Sequence, residues 1–419
     1  MATEQEIIIK LKSELELKQF QLSSLLEVTQ AINKNFSREQ LFNIYKFVLR
    51  TQLKVRKLAL FVLDARWKCP ILYGADPACE HIDVKTDLLQ FTNIHSIDPG
   101  MGSVAGGVAS AKLISEFQTV IPVLHKHKPL AYALIGDYDL QENELKNDLI
   151  PFIQTLTNII IVAVENKKFA REQIRQEGIK KELELAAQMQ SMLFPVTLPK
   201  DEHMEVYATY LPHREVGGDY YDCVRVNDNE LVFCMADVSG KGIPAALLMS
   251  NFQANLHVLV EYTHSLKELA IKLNNKVMES AKGEKFITMF VARYNCRTRE
   301  LTYINAGHNP PLLYAGGEVQ QLKEGTTGLG MLDELAFINE GTLVLPKDSI
   351  LLTYTDGVVE TEDGEGELFG IERLISFVEE NAGSKPAGDL HKLLIDHLTK
   401  FKDRRQFVDD ITLLTCKFR

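Results

Sequence analysis

Hydrophobic and polar positions change their period along this chain, and the changes divide it. Over residues 1–35 apolar side chains recur at alternating spacings of three and four: Ile8, Leu11, Leu15, Leu22, Leu25 and Ile32, with Lys18 and Thr29 in the other seam positions. That is the stripe of a helix, and it serves equally a coiled coil and a helix lying on its own domain. From 36 to 160 the period alternates. "REQLFNIYKFVLRTQL" reads as helix, "KLALFVLD" and "LAYALIGDY" as strands, and "NDLIPFIQTLTNIIIVAVENKKF" as a long helix running on from 148. Residues 161–195 are charged and helical, with one apolar face at Ile179, Leu183, Ala186, Met189 and Leu193. "FPVTLP" (194–199) stops that helix, because proline lacks the amide hydrogen and clashes with the preceding turn.

Beyond 196 β-branched and aromatic runs dominate: "VYATYLP", "CVRV", "ELVFCMAD", "ITMFVARYN", "ELTYINAG", "SILLTYTDG" and "DITLLTCKF". Helices are predicted over 244–261, 265–281, 370–381 and 386–402, the first with Pro244 in its opening turn. "CVRVNDNELVFC" and "VARYNCRTRELTYI" read as hairpins, so strand neighbours are mainly antiparallel. The pattern divides the chain into an N-terminal helix (1–35), an α/β domain (36–160), a helical linker (161–195) and a second α/β domain (196–419).

Composition narrows the function classes. With 419 residues the chain holds two or three domains, and a net charge of −11 argues against general nucleic-acid binding and a basic membrane anchor. No apolar run approaches the ~20 residues of a membrane span, and the charged start lacks the features of a signal peptide. Six scattered cysteines form no C-x-x-C pair and no C-x5-R loop. This predicts a reducing, cytoplasmic setting, no zinc site and no thiolate phosphatase. "PGMGSVAGGVAS" (99–110) imitates a nucleotide loop, but no clear strand leads into it and no acidic ribose partner stands out.

The chemistry gathers at carboxylates beside glycines. In "REVGGDYYD" (214–222) two glycines run into Asp219; Asp237 ends a strand before "VSGKG"; Asp356 ends another before Gly357; Asp409 and Asp410 open the last strand. Each alone is better explained by a turn than by a ligand site. Together they mount oxygen ligands for a hard cation on strand ends, with bare backbone able to approach.

The strings "GGDYYD", "ADVSGKGIPAALLMS", "NAGHNPP", "TDGVVE" and "DDITLL", in that order, resemble the SpoIIE/RsbU-like branch of the type 2C metal-dependent (PPM) serine/threonine phosphatases. The resemblance covers roughly 185–419, with "AAQMQSMLFP" as its lead-in helix. It implies an αββα sandwich with two divalent cations, Mn²⁺ or Mg²⁺, at one end. Asp219, Asp237, Asp356 and Asp409 are then metal ligands acting through an activated water, joined by the Val238 carbonyl and, as ligand or outer support, by Asp410. Asp222 is assigned to structure. His308 either holds its loop by hydrogen bonds or meets the leaving group, and Lys241 either meets phosphate or is a solvated turn residue. The layout of 36–160, with "GMGSVAGGVASAK", resembles a GAF sensing domain with a small-molecule ligand.

The implied function is hydrolysis of phosphoserine or phosphothreonine on a signalling protein. By resemblance that protein is an anti-anti-sigma factor of STAS type, and the GAF-like half of a homodimer regulates the enzyme through the linker. No nucleic acid or membrane partner is expected. The rival reading is a non-catalytic docking or ligand-sensing protein on the same fold.

Overall fold

The computed structural model describes residues 4–97, 113–125, 128–138 and 143–419. The chain forms two compact units, Met1–Gln176 and Glu177–Arg419.

In the first unit α1 (Glu4–Asn33) is followed by α2 (Arg38–Phe47), whose start is fixed by a reciprocal pair of bonds between Ser37 and Gln40. Five antiparallel strands follow: β1 (Lys57–Asp64), β2 (Arg66–Tyr73), β3 (His95–Ser96), β4 (Thr119–His125) and β5 (Lys128–Gly136), with one-turn helix α3 (Val84–Asp87) before β3. Their order across the sheet is β2-β1-β5-β4-β3. Alternation along β1 builds two cores. Leu58, Leu60 and Val62 meet Tyr45, Val48, Ile153 and Leu156, while Ala59 and Phe61 meet Cys79, Leu88 and Phe117 on the opposite face. The seam of α1 divides likewise: Leu25 and Ile32 pack on the unit, whereas Ile8, Leu11, Leu15 and Leu22 are more than half exposed. The glycine-rich stretch 99–110 lies outside the described residues.

Helix α4 (Asn143–Ser191) runs unbroken through residue 160, with Pro151 inside it. Two helices, over Leu149–Ser191 and Ile243–Tyr262, are long and apolar enough by composition to cross a membrane, which a search for uninterrupted apolar runs does not detect. Much of that apolar content is packed inside each unit: Ile150, Ile153, Leu156 and Ile160 in the first, Leu248, Met249, Phe252 and Leu256 in the second.

The second unit is a two-sheet sandwich between helices. One sheet contains β7 (Tyr220–Asn227), β8 (Glu230–Val238), β9 (Ile287–Asn295) and β10 (Glu300–Ala306) as antiparallel neighbours, with short β13 (Gly325–Thr326) and β14 (Gly341–Val344) along β10. The other has β6 (Met204–Leu211), β11 (Leu312–Ala315), β12 (Glu318–Gln321), β15 (Ser349–Tyr354) and β16 (Ile411–Phe418) in the order β12-β11-β15-β16-β6. Helices α5 (Ile243–Tyr262) and α6 (Leu266–Ala281) cover the first sheet. α8 (Gly370–Asn381) and α9 (Ala387–Phe401) cover the second, and the single turn α7 (Asp356–Val359) follows β15.

β8 shows why the sequence reads as a continuous apolar run. Leu231, Phe233 and Met235 enter the core between the sheets, and Val232, Cys234 and Ala236 face α5 and α6. A strand buried on both faces has no polar alternate. β16 does the same, sending Leu414, Cys416 and Phe418 between the sheets and Ile411 and Leu413 towards α8 and α9.

Candidate active site

Antiparallel pairing places the start of one strand beside the end of its neighbour. Tyr220 at the start of β7 pairs with Ala236 near the end of β8, and Tyr354 at the end of β15 pairs with Leu413 near the start of β16. The residues just outside those positions are Asp219, Asp237, Asp356, Asp409 and Asp410. Two hydroxyls tie the sheets together there. Thr355 Oγ1 donates to Asp219 Oδ2 at 2.8 Å, and Thr412 Oγ1 donates to the same oxygen. Asp356 is not a strand end, as the sequence pattern had it; β15 stops at Tyr354, and Asp356 is the first residue of α7.

Asp237, Asp356, Asp409 and Asp410 line one cleft of about 350 Å³, together with the Val238 backbone, Lys241, His308, His213, Arg214 and Glu360. Asp219 is 2% exposed and is held by the two threonines. Gly218 explains the glycines before it: a Cβ there would stand 2.8 Å from the Val238 carbonyl oxygen and 3.3 Å from Asp237 Oδ1. Gly357 is tighter, since its Cβ would fall 2.0 Å from the Asp410 carbonyl oxygen. Bare backbone is therefore a packing requirement at this end of the sandwich.

Crowded carboxylates resist ionisation. Burial, then the charge of Asp237, raises Asp219 well above the usual range. Asp237 is raised by burial and then by Asp356 and Asp409. Asp356 is pushed up to about 6, again by burial first, with Glu360 and Asp409 adding repulsion. Burial also raises Asp410, whose Oδ1 accepts the His213 N–H at 2.7 Å. One cation facing them is Lys241, 2.6 Å from Asp409 Oδ2 and bonded to the Val408 carbonyl at 2.8 Å. Lys241 is thus neither free nor merely a solvated turn residue.

The donors are carboxylates and a backbone carbonyl, the set that magnesium and manganese take. Among the described residues no three His, Cys, Asp or Glu side chains converge on one point as a metal cage. Three carboxylates are engaged elsewhere: Asp219 by threonines, Asp409 by Lys241, Asp410 by the His213 amide. The donor chemistry and the open backbone fit a hard divalent cation.

His308 is 6% exposed, its Nδ1 3.0 Å from Thr288 Oγ1 and its backbone N–H bonded to Asn305 Oδ1 at 2.7 Å. Its Nε2 is buried without a hydrogen-bond partner, and burial holds the ring down to about 4. A ring neutral at pH 7 is poorly suited to protonating a leaving group. Asp222 faces another way. Its Oδ2 accepts from Tyr220 and lies 2.5 Å from His257 Nε2, and its Oδ1 takes the Cys223 N–H at 2.7 Å. Sequence reasoning did not single out Arg214, Glu360, Thr355 or Thr412. All four lie within five residues of a flagged aspartate, so the motif neighbourhoods held the only available signal.

A family model described as Stage II sporulation protein E (SpoIIE) matches residues 227–419. Phosphoserine phosphatase RsbU of Bacillus subtilis is 33% identical over 247 residues, which span 58% of this chain and 71% of that protein. Protein IcfG of Synechocystis is 27% identical over 352 residues, 77% of this chain and 55% of that protein. Among solved structures, the SiaA-PP2C domain of Pseudomonas aeruginosa overlays with a TM-score of 0.51 at 21% identity, covering 58% of this chain and 99% of that domain. That overlay shows the PP2C fold, and with the RsbU match it settles the lineage. The chain belongs to the SpoIIE family of PP2C-fold serine/threonine phosphatases.

Proposed function

We propose that the chain hydrolyses phosphoserine or phosphothreonine on a signalling protein, at the cleft lined by Asp237, Asp356 and Asp409. The observation that carries this is the gathering of mutually raised carboxylates from both sheets at one open end of the sandwich. Such a cluster is stabilised by cations and has little other use. Asp219, Asp237, Asp356, Asp409 and the Val238 carbonyl would hold two divalent cations, Mn²⁺ or Mg²⁺, with Asp410 keeping the 213–218 segment in place. When bound, such cations acidify a water for in-line attack on phosphorus and neutralise phosphoryl oxygens. Arg214 and Lys241 line the cleft and are placed to receive the phosphate dianion by charge-assisted hydrogen bonds. His308 holds the Thr288 and Asn305 side of the cleft rather than supplying a proton.

The domain reading belongs to the same proposal. Residues 36–160 form a GAF-like sensor with a small-molecule ligand, 161–195 a linker, and 196–419 the phosphatase. The substrate is a STAS-type anti-anti-sigma protein, and the enzyme works as a cytoplasmic homodimer. The exposed α1 seam at Ile8, Leu11 and Leu15 supports pairing through a coiled coil.

The test is turnover of p-nitrophenyl phosphate and of a phosphoserine protein by the full chain, with Mn²⁺, with EDTA and as Asp237→Asn. Metal-dependent turnover lost in the variant is the expected result. Binding of the phosphoprotein with no metal-dependent turnover would leave the docking protein as the better reading.

A further inference from the structure

We propose that Gln190, in the last turn of α4, is the positioning residue that sets Gly217 and Gly218, the wall of the acidic cleft next to Asp219; this rests on the phosphatase reading of that cleft. The Gln190 side chain reaches across 27 positions of sequence to bond one residue twice. Its Nε2 donates to the Gly217 carbonyl at 2.8 Å, and its Oε1 accepts the Gly217 N–H at 3.2 Å. Gln190 is 7% exposed, so these bonds are shielded from water. A carboxamide paired with both backbone groups of one residue acts as a short piece of β-ladder, fixing that residue's position and its orientation.

The segment needs such a restraint. Adjacent glycines have the softest backbone in a chain, and no side chain of their own anchors them. On the far side they meet the site directly. A Cβ at Gly217 would lie 1.9 Å from Asp410 Oδ2, and Gly218 lies against the Val238 carbonyl and Asp237. The backbone bond from Val238 N to Gly218 O is long, at 3.3 Å. Gln190 therefore supplies two bonds to one side of a glycine pair whose other side forms the cleft wall. The helix end is itself anchored, since Phe194 packs its ring 5.0 Å from Tyr210, 5.0 Å from Tyr221 and 5.9 Å from Tyr220. A fixed helix end and a bidentate amide together give Gly217 and Gly218 a defined place.

The test compares the native full chain with Gln190→Met, which keeps length and helix propensity but neither hydrogen bond. Free Mn²⁺ is followed by electron paramagnetic resonance in a titration, and p-nitrophenyl phosphate kinetics are measured at saturating Mn²⁺. The expected result is Mn²⁺ affinity weakened by about tenfold and kcat lowered by about 10–100-fold, with KM within about twofold. Ser191→Ala, at the next and exposed position, is the control and leaves both unchanged. Affinity and kcat within about twofold of native, with only the melting temperature lowered, overturn the proposal and make Gln190 a packing residue. Should Gln190→Met fail to fold, Gln190→Glu keeps an acceptor for the Gly217 N–H, and the same two outcomes decide. A native chain that binds no Mn²⁺ overturns the phosphatase reading itself, whereas native binding equalled by the variant overturns this inference alone.

Discussion

Two of the places where the phosphatase domain buries polar side chains are treated differently. Under α9, His391 has both ring nitrogens paired, with Thr209 at 2.8 Å and Thr415 at 2.7 Å. In the cleft, His308 has one nitrogen paired and the other buried without a partner. Asp222 and Asp237 repeat the contrast. The first has its carboxylate oxygens bonded to Tyr220, His257 and the Cys223 amide; the second faces carboxylates that repel it. Asp222 and His391 are satisfied from within the chain, whereas Asp237 is left among like charges that a cation would relieve. At these two carboxylates, both largely buried, the partners rather than the burial separate structure from chemistry.

The largest expected effect tests the cleft side. Asp237→Asn should lower Mn²⁺-dependent turnover of p-nitrophenyl phosphate by at least about 100-fold while the chain stays folded by circular dichroism. Next comes the satisfied side. His391→Leu strands the buried Thr415 hydroxyl and the half-buried Thr209 hydroxyl and should cost about 2–3 kcal/mol in denaturant unfolding, with turnover per folded molecule unchanged. It should also flatten the acid limb of the stability curve. Burial holds His391 to about 3 and His308 to about 4, against 6.5 ordinarily. The unfolded chain therefore binds more protons across that window, and the stabilisation present above 6.5 is lost as pH falls.

Asp356 works in the opposite sense. Raised from 3.8 to about 6, it gives the folded chain the extra proton, so stability present below 3.8 is lost as pH rises through 6. In EDTA, Asp356→Asn should therefore stabilise the chain by about 1–2 kcal/mol near pH 8 and by nothing measurable near pH 4, the cleft mouth being partly wet. An equal effect at both ends would break the comparison. The smallest effect sharpens it: Asp222→Asn should cost about 1 kcal/mol in unfolding and leave turnover within about twofold, because that carboxylate is already fully partnered.

Much of this was legible in the chain, for identifiable reasons. Strands β8 and β16 declare themselves because both faces are buried, and the hairpins because "NDN" and "CRTR" interrupt β-branched runs. The aspartates were legible as places, since glycine beside carboxylate is rare enough to notice in series. Their partners were not. Gln190 looks like any polar residue on a charged helix, and nothing local announces a bond to Gly217. Thr355 and Thr412 read as ordinary strand residues, because the oxygen they share belongs to a residue far back in the chain. Strands β11 to β14 run to four residues at most, too short for a period to establish itself. The start of α4 at Asn143 is masked by Pro151, which looks like a beginning and lies inside the helix.

Gly357 has a further meaning for anyone who mutates this protein at random. Every other amino acid would bring its first side-chain carbon to 2.0 Å from the Asp410 carbonyl oxygen, a clash with main chain that no rotamer relieves. In a saturation library selected for phosphatase output, that codon should come back unchanged. Glycines with open space around them, such as Gly178 and Gly364, should scatter freely. Sequence tolerance read at single codons thus becomes a map of where the backbone itself is part of the active-site wall.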